Sequence, residues 1–211
     1  MSQPVPAPRD WQYPAGTVAA LLNSDLVTPA TAKALARRLA ARADKEPVVF
    51  GPELLAVLSA ISGRLIPQSD RATPIDLAGA FVSRLAKGAG NGWRYADLPP
   101  DADMFDRGLR AIDASAIDAF SAGFSSLTPA KQDDLLREVQ FGRVSGPAWH
   151  GIKPDLFFQE LLAALVDIYY ADPVALDEIG YAGMADARGW QAVGIDARAE
   201  YEPIATPVRR P

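Results

Sequence analysis

The chain has 211 residues, of which 49% are hydrophobic and 22% are charged, and its formal net charge is −5. This composition is typical of a globular protein with its own core, and the length suits one domain with extended ends. The acidic balance argues against nucleic acid as a partner, and the lack of cysteine excludes disulfides, thiolate zinc sites, iron–sulfur clusters and covalently attached haem.

Neither membrane insertion nor export is expected from the sequence. Apolar runs such as Leu161–Val166 are far shorter than the roughly 20 residues of a spanning helix. The N-terminal stretch lacks the charged-then-apolar order of a secretion signal, and the pair Arg37-Arg38 is followed by a charged stretch instead of an apolar signal core. We therefore expect a cytoplasmic protein, or a periplasmic one if a partner carries the export signal.

Residues 1–27 are predicted to form an extended arm. Four of the 18 prolines lie before residue 17, and proline favours polyproline or irregular backbone because it fixes φ and lacks an N–H donor. Trp11 and Tyr13 lie in this arm. Two aromatic rings so close together suggest that the arm packs against another surface.

Residues 28–171 are predicted to form a helical domain. Threonine followed by proline is a typical helix start, since threonine caps and proline suits the first turn. Apolar residues then recur at helical spacing, and sustained strand-like alternation is missing. The expected fold class is therefore all-α, an irregular helical bundle whose arm and tail wrap a partner. The predicted helix starts of this kind are Thr28-Pro29, Thr73-Pro74 and Thr128-Pro129.

The stretch "LFFQELLAALVDIYY", residues 156–170, is the strongest predicted helix. Its polar residues Gln159, Glu160 and Asp167 occupy one narrow strip, and the rest of its circumference is apolar. A surface helix needs only about a third of its perimeter to be apolar. This helix is therefore expected to be buried nearly all round, mostly by neighbouring helices and in part by a second protein.

Residues 172–211 are predicted to form an irregular segment that packs on the helical domain and on a partner. The segment has neither helical nor strand period, but it is too rich in aromatic residues for a solvated tail. Ordering such a segment is entropically costly unless its rings are buried.

Residue types that carry chemistry occur without a recognisable catalytic pattern. The single histidine, His150, is predicted to lie in a loop, although general acid–base catalysis often uses histidine. Asp101, Asp103 and Asp106 lack the glycine turn and distal glutamate of a calcium loop and suit a helix N-terminus. Asp133-Asp134 is predicted to lie on a solvated helix face. These patterns predict no catalytic, cofactor-binding or metal-binding residue in this chain.

One cluster of positive side chains lies on the predicted helix that begins at Thr28-Pro29. A solvated helix face is the ordinary interpretation of such a strip, and docking onto an acidic partner is the alternative. The cluster consists of Lys33, Arg37, Arg38, Arg42 and Lys45.

The order of several loose motifs resembles the gluconate 2-dehydrogenase subunit 3 family, over roughly residues 50–196. A helix ends in Leu65-Ile66-Pro67, and a segment with Thr128, Gln132 and two leucines follows. A Phe-Phe helix then leads to an aromatic-x-Asp-Pro motif and later to Gly-Trp-x-x-Val-Gly. The last three motifs are Phe157-Phe158, Tyr170-Ala171-Asp172-Pro173 and residues 189–194.

The resemblance implies a small, non-catalytic subunit of a flavin-dependent dehydrogenase complex. Its large partner would be of the glucose–methanol–choline type, would bind FAD and would oxidise a hydroxyl of a sugar, glycoside or sugar acid. Electrons would then pass to a cytochrome c subunit or another acceptor. The small subunit would stabilise the FAD-bearing subunit, because a ligand that binds only the folded state raises its stability.

On this interpretation, aromatic residues of the irregular segments bury themselves against the flavoprotein, since aromatic side chains dominate the energetics of interfaces. An alternative is that they merely cover their own helices. The residues predicted to bind the partner are Trp11, Tyr13, Tyr169, Tyr170, Pro173, Tyr181 and Trp190.

Two rival hypotheses belong to other functional classes. One is an all-helical enzyme that uses His150 together with a carboxylate. The other is a free-standing helical adaptor or regulator that binds an acidic partner through the basic strip around Arg38, with an affinity that falls as salt rises.

Overall fold

A computed structural model describes residues 11–40, 49–69, 71–88, 95–184 and 186–208. Its described part confirms the all-α class, with eight α-helices, two short 3₁₀ helices and a single two-stranded sheet. The helices are α1 (Thr17–Leu21), α2 (Pro29–Ala40), α3 (Pro52–Leu65), α4 (Leu77–Ala86), α5 (Asp101–Phe120), α6 (Pro129–Gln140), α7 (Pro154–Ala171) and α8 (Pro173–Glu178). The 3₁₀ helices are Phe124–Ser126 and Pro147–Trp149, and the strands are β1 (Trp11–Gln12) and β2 (Thr206–Pro207).

The chain packs as two compact units. Met1–Asp44 and Tyr170–Pro211 form the terminal unit, and Lys45–Tyr169 forms the central unit. Residues 28–40, predicted to belong to the helical domain of residues 28–171, thus pack with the two chain ends. The predicted arm and the predicted irregular segment also contain the short helices α1 and α8. None of the described helices is long and apolar enough to cross a bilayer.

Two of the three predicted threonine–proline starts are confirmed. Helix α2 begins at Pro29 and α6 at Pro129. The start predicted at Thr73-Pro74 is wrong, because α4 begins at Leu77 and its cap is Asp76, whose side chain accepts from the N–H of Gly79. In the turn before α4, the Gln68 side-chain amide donates to the Ile75 carbonyl and accepts from the Ile75 N–H. These two hydrogen bonds hold the turn in a non-helical conformation.

Aromatic rings fill the core of the central unit. Phe105 of α5 lies edge-on to Phe81 of α4, with ring centroids 4.8 Å apart, and 6.3 Å from the ring of Phe157 of α7. Phe157 also meets Trp149 edge-on at 5.9 Å. Its ring lies directly on Gly108 of α5, where a Cβ would collide with it. The glycine therefore sets how closely α5 and α7 approach.

The terminal unit has a small core of its own, and carboxylates far along the chain hold its N-terminal helices in place. Val18, Leu35 and Leu176, from α1, α2 and α8, form this core. Asp177 of α8 accepts from the N–H groups of Gly16 and Val18, at 2.7 and 2.8 Å, and so caps α1. Strands β1 and β2 pair in the antiparallel sheet, in which Trp11 is the register partner of Pro207.

Asp186 reinforces the threonine cap of α2 from far along the chain. Its carboxylate accepts from the Thr28 N–H at 2.7 Å and from the Thr28 and Thr31 hydroxyls at 2.8 and 2.7 Å. These hydrogen bonds, led by that of the Thr28 backbone, lower the pKa of Asp186 to about 2. The carboxylate is therefore ionised at any physiological pH and also complements the positive end of the helix dipole.

Candidate functional site

The seven residues predicted to bind a partner fall into two groups in the structure. Tyr169 and Pro173 are buried by the chain itself, and Tyr13 is half-buried. The others expose between four and six tenths of their surface, so they remain available to another protein. These exposed residues are Trp11, Tyr170, Tyr181 and Trp190.

Tyr13 packs within the terminal unit. Its ring lies on the backbone of Gly180, which follows α8 and has a left-handed φ of 64°. A Cβ at Gly180 would collide with the ring, so glycine is needed both for the turn and for this close approach. Part of the ring thus serves to fix the N-terminal strand region against the end of α8.

Tyr169 is held by a cation from its own chain. The Arg71 guanidinium donates to the Tyr169 hydroxyl at 2.8 Å and lies 5.2 Å from the centre of the tyrosine ring. The contact combines a hydrogen bond with a cation–π interaction. Tyr169 therefore has a structural role in the central unit.

The aromatic-x-Asp-Pro motif is a helix start. The Asp172 carboxylate accepts from the Val174 N–H at 2.8 Å, and Pro173 occupies the first turn of α8. This is the same combination of cap and proline that marks other helices. Proline at the first turn is a common helix-start signal, so the sequence supports a structural interpretation of this motif. The neighbouring aromatic residues favour the interpretation as a binding site.

Trp190 lies at the base of a loop whose tip is strongly apolar. Its ring is 6.5 Å from that of Tyr201, and the Tyr201 hydroxyl donates to the Gly189 carbonyl at 3.4 Å. Val193 is 85% exposed and Ile195 is 98% exposed. Sequence reasoning singled out the tryptophan and missed these two aliphatic residues, although two β-branched residues on either side of Gly194 are an unusual content for a loop.

Helix α7 buries only one face within its own chain, so neighbouring helices cover less of it than the sequence predicts. Phe157, Leu161 and Leu165 point into the core. Val166 and Tyr170 are exposed on the opposite side, where Ala163 lies one turn before Val166 and two turns before Tyr170. Alanine and a single valine add little exposed apolar area, so this side remains compatible with solvent.

The acidic side chains pair with nearby arginines. Asp103 and Asp106 each bond the arginine four residues further along α5, Arg107 and Arg110, at 3.0 and 2.9 Å. His150 is exposed, and its carbonyl accepts from Arg107 at 2.6 Å. In the described part of the chain, no three histidine or acidic side chains lie close enough to hold a metal ion.

The Asp133-Asp134 pair differs from the predicted solvated face. Asp134 does pair with Arg137 on its own helix, at 2.9 Å. Asp133 instead takes both ends of the Arg64 guanidinium of α3, at 2.7 and 2.5 Å. The hydrogen bond from Arg64 lowers the pKa of Asp133 below its usual value. The residue therefore holds two helices together.

A shallow cleft of about 500 Å³ lies between the end of α5 and α6. Its charged groups bond one another, as in the pair of Arg143 and Glu138 at 2.7 Å, and the hydrogen bond from Arg143 lowers the pKa of Glu138. The residues lining the cleft include Ser115, Asp118, Phe120, Leu135 and Val144.

Three residues of the basic strip are exposed on α2, namely Lys33, Arg37 and Arg38. Leu35 is the only buried residue of this helix, so its polar side is broad and solvated. Arg42 and Lys45 lie outside the described residues.

Comparison with known proteins bears on the residues from α3 to the loop beyond Trp190. Residues 52–196 match the family model described as gluconate 2-dehydrogenase subunit 3. No curated protein and no solved structure matches the chain significantly. The family match covers well over half of the chain and includes all of α3 to α8, and the protein therefore belongs to the gluconate 2-dehydrogenase subunit 3 family.

Proposed function

We propose that this chain is the non-catalytic small subunit of a flavin-dependent dehydrogenase. Its large partner is a flavoprotein of the glucose–methanol–choline type that carries FAD and oxidises a hydroxyl of a sugar, glycoside or sugar acid. The observation that carries the proposal is the match of residues 52–196 to a family described as a dehydrogenase subunit. FAD, the hydride acceptor, belongs to the partner, and electrons leave it for a cytochrome c subunit or another acceptor.

The distribution of polar and apolar groups supports a role in binding. Five acidic side chains of α5 and α6 are engaged by arginines, while large apolar side chains of the terminal unit face solvent. Covering exposed apolar groups with a second protein stabilises the complex by about 25 cal/mol per Å² of apolar surface buried. A subunit that works by contact has a use for such groups, because they supply the affinity that holds it to its partner.

Co-expression of the chain with the flavoprotein subunit tests the proposal. The expected product is a stable complex with the visible absorbance of bound flavin and dehydrogenase activity on a sugar substrate. The small subunit should also protect its partner, since a ligand present at 100 times its dissociation constant stabilises the folded state by about 2.7 kcal/mol. A higher unfolding temperature of the flavoprotein in the complex than alone is the measurement.

A His150→Ala variant of the complex distinguishes a binding subunit from an enzyme that uses this histidine. Unchanged turnover is expected, because the described contact of His150 uses its backbone carbonyl, which alanine retains. Loss of turnover in an intact complex would contradict the proposal. A complex that forms without flavin and weakens steeply with salt would instead favour the acidic-partner adaptor.

A further inference from the structure

Residues 190–201, here called the tryptophan loop, have the form of an Ω-loop, a compact surface loop whose ends lie close together. Trp190 and Tyr201 bring the ends together, with ring centroids 6.5 Å apart. The Tyr201 hydroxyl donates to the carbonyl of Gly189, directly before the loop. The base of the loop is therefore closed by the aromatic pair.

Hydrogen bonds also define the second half of the loop. The Ala197 N–H donates to the Gly194 carbonyl at 3.1 Å, and the Ala199 N–H donates to the Glu202 carboxylate at 2.7 Å. The Arg198 guanidinium donates to the Glu202 carbonyl at 2.9 Å. Ala199 is buried. These contacts give the loop a defined shape before any partner is bound.

The tip of the loop is more exposed than any other large apolar site among the described residues. Val193 and Ile195 make almost no contact with their own chain, with 85% and 98% of their surfaces exposed. Both side chains are β-branched and have few rotamers, so burying them in a partner loses little conformational entropy. A preformed loop with such a tip is well suited to insert into a pocket.

We propose that the tryptophan loop is the docking element of this subunit, and that Val193 and Ile195 enter an apolar pocket of the large catalytic subunit. This inference rests on the proposed function, which supplies the partner. The family match continues through both residues to position 196, so the first half of the loop, with its apolar tip, belongs to the part of the chain that the family shares. Asp196, Arg198 and Glu200 are exposed on the same loop, and these charges of both signs assign polar side chains of the opposite signs to the rim of the pocket.

The test compares two double variants in the complex with the flavoprotein. Val193→Ser with Ile195→Ser removes the apolar tip, whereas Ile117→Ser with Phe141→Ser removes a matched pair of exposed apolar groups, 51% and 59% exposed, from the central unit. The measurement is the concentration at which each complex half-dissociates, read by size-exclusion chromatography with detection of flavin absorbance. Thermal unfolding of each free variant checks that the fold is retained.

The loop variant is expected to weaken the complex by about 100-fold or more, since two buried aliphatic side chains are lost, and the control variant should match the unmodified chain. Equal affinity of the loop variant and the unmodified chain would overturn the inference and leave the proposed function standing. If the unmodified chain binds no flavoprotein, both fail. If the loop variant instead dissociates an assembly of this chain with itself, a second copy occupies the site and the assignment to the catalytic subunit is wrong.

Discussion

Arg64 of α3 and Asp133 of α6 form a two-pronged ion pair, in which Nε and Nη2 donate to the two carboxylate oxygens at 2.7 and 2.5 Å. Paired donors of this kind add geometric specificity to charge attraction. The pair fixes the register of two helices that are far apart in sequence. It also explains why Asp133 and its neighbour Asp134, alike in the sequence, have different roles.

The first prediction concerns the coupling of this pair. Asp133→Asn and Arg64→Gln should each lower the free energy of unfolding, and the double variant should lose less than the sum of the two. The pKa of Asp133 is lower in the folded protein than its usual value. The ion pair therefore contributes its full stabilisation at pH values above the usual pKa of an aspartate. This stabilisation is lost as the pH falls through the lower pKa of the folded state. Urea unfolding at several pH values measures both effects, and strictly additive losses would show that the pair contributes nothing.

The second prediction concerns the contact between α5 and α7. Gly108→Ala places a methyl group into the ring of the fully buried Phe157, and we expect a loss of about 1–3 kcal/mol from overpacking. Gly63→Ala is the matched control, because this helical glycine of α3 has open space around it. The control should gain about 0.5–1 kcal/mol from helix propensity. Equal effects of the two substitutions on urea unfolding would contradict the packing described for Phe157.

The third prediction concerns the carboxylate of Asp186, which reinforces the start of α2. The pKa of Asp186 is about 2 in the folded protein, below its ordinary value of 3.8. Its contribution to stability is therefore complete above pH ~4 and is lost as the pH falls towards 2. Asp186→Asn should lower stability at neutral pH and flatten the acid side of the profile. Thr31→Val keeps the carboxylate and removes a single donor, so its loss should be smaller. An acid profile that Asp186→Asn leaves unchanged would contradict the assignment.

Local signals in the sequence predict much of the helical fold. Thr128-Pro129 and Pro29 mark helix starts because proline at the first turn is a local signal. Residues 101–120 show the apolar spacing of an amphipathic helix, and α5 occupies that range. Even the Asp172-Pro173 motif carries its own structural explanation. The all-α class follows from such signals.

Contacts between distant residues explain what the sequence does not predict. The start of α2 is reinforced by Asp186, more than 150 residues beyond Thr28, and the cap of α1 comes from Asp177. No local pattern indicates that residues 28–40 pack with the chain ends. The exposed tip of the tryptophan loop was missed for a related reason, since the burial of Val193 and Ile195 depends on whether any distant segment covers them.

The last prediction concerns Gly180, on which the ring of Tyr13 lies. Gly180→Ala faces two penalties, a left-handed backbone with φ of 64° and a collision with the ring. Gly16→Ala isolates the first, because Gly16 has φ of 81° and open space around its Cα. The control should cost about 1–2 kcal/mol from backbone strain alone. Gly180→Ala should cost a further ~1–3 kcal/mol, which Tyr13→Ala in the same chain should largely relieve. If the two glycine substitutions have the same effect on thermal unfolding, Tyr13 does not pack there, and its whole ring is available to bind the partner.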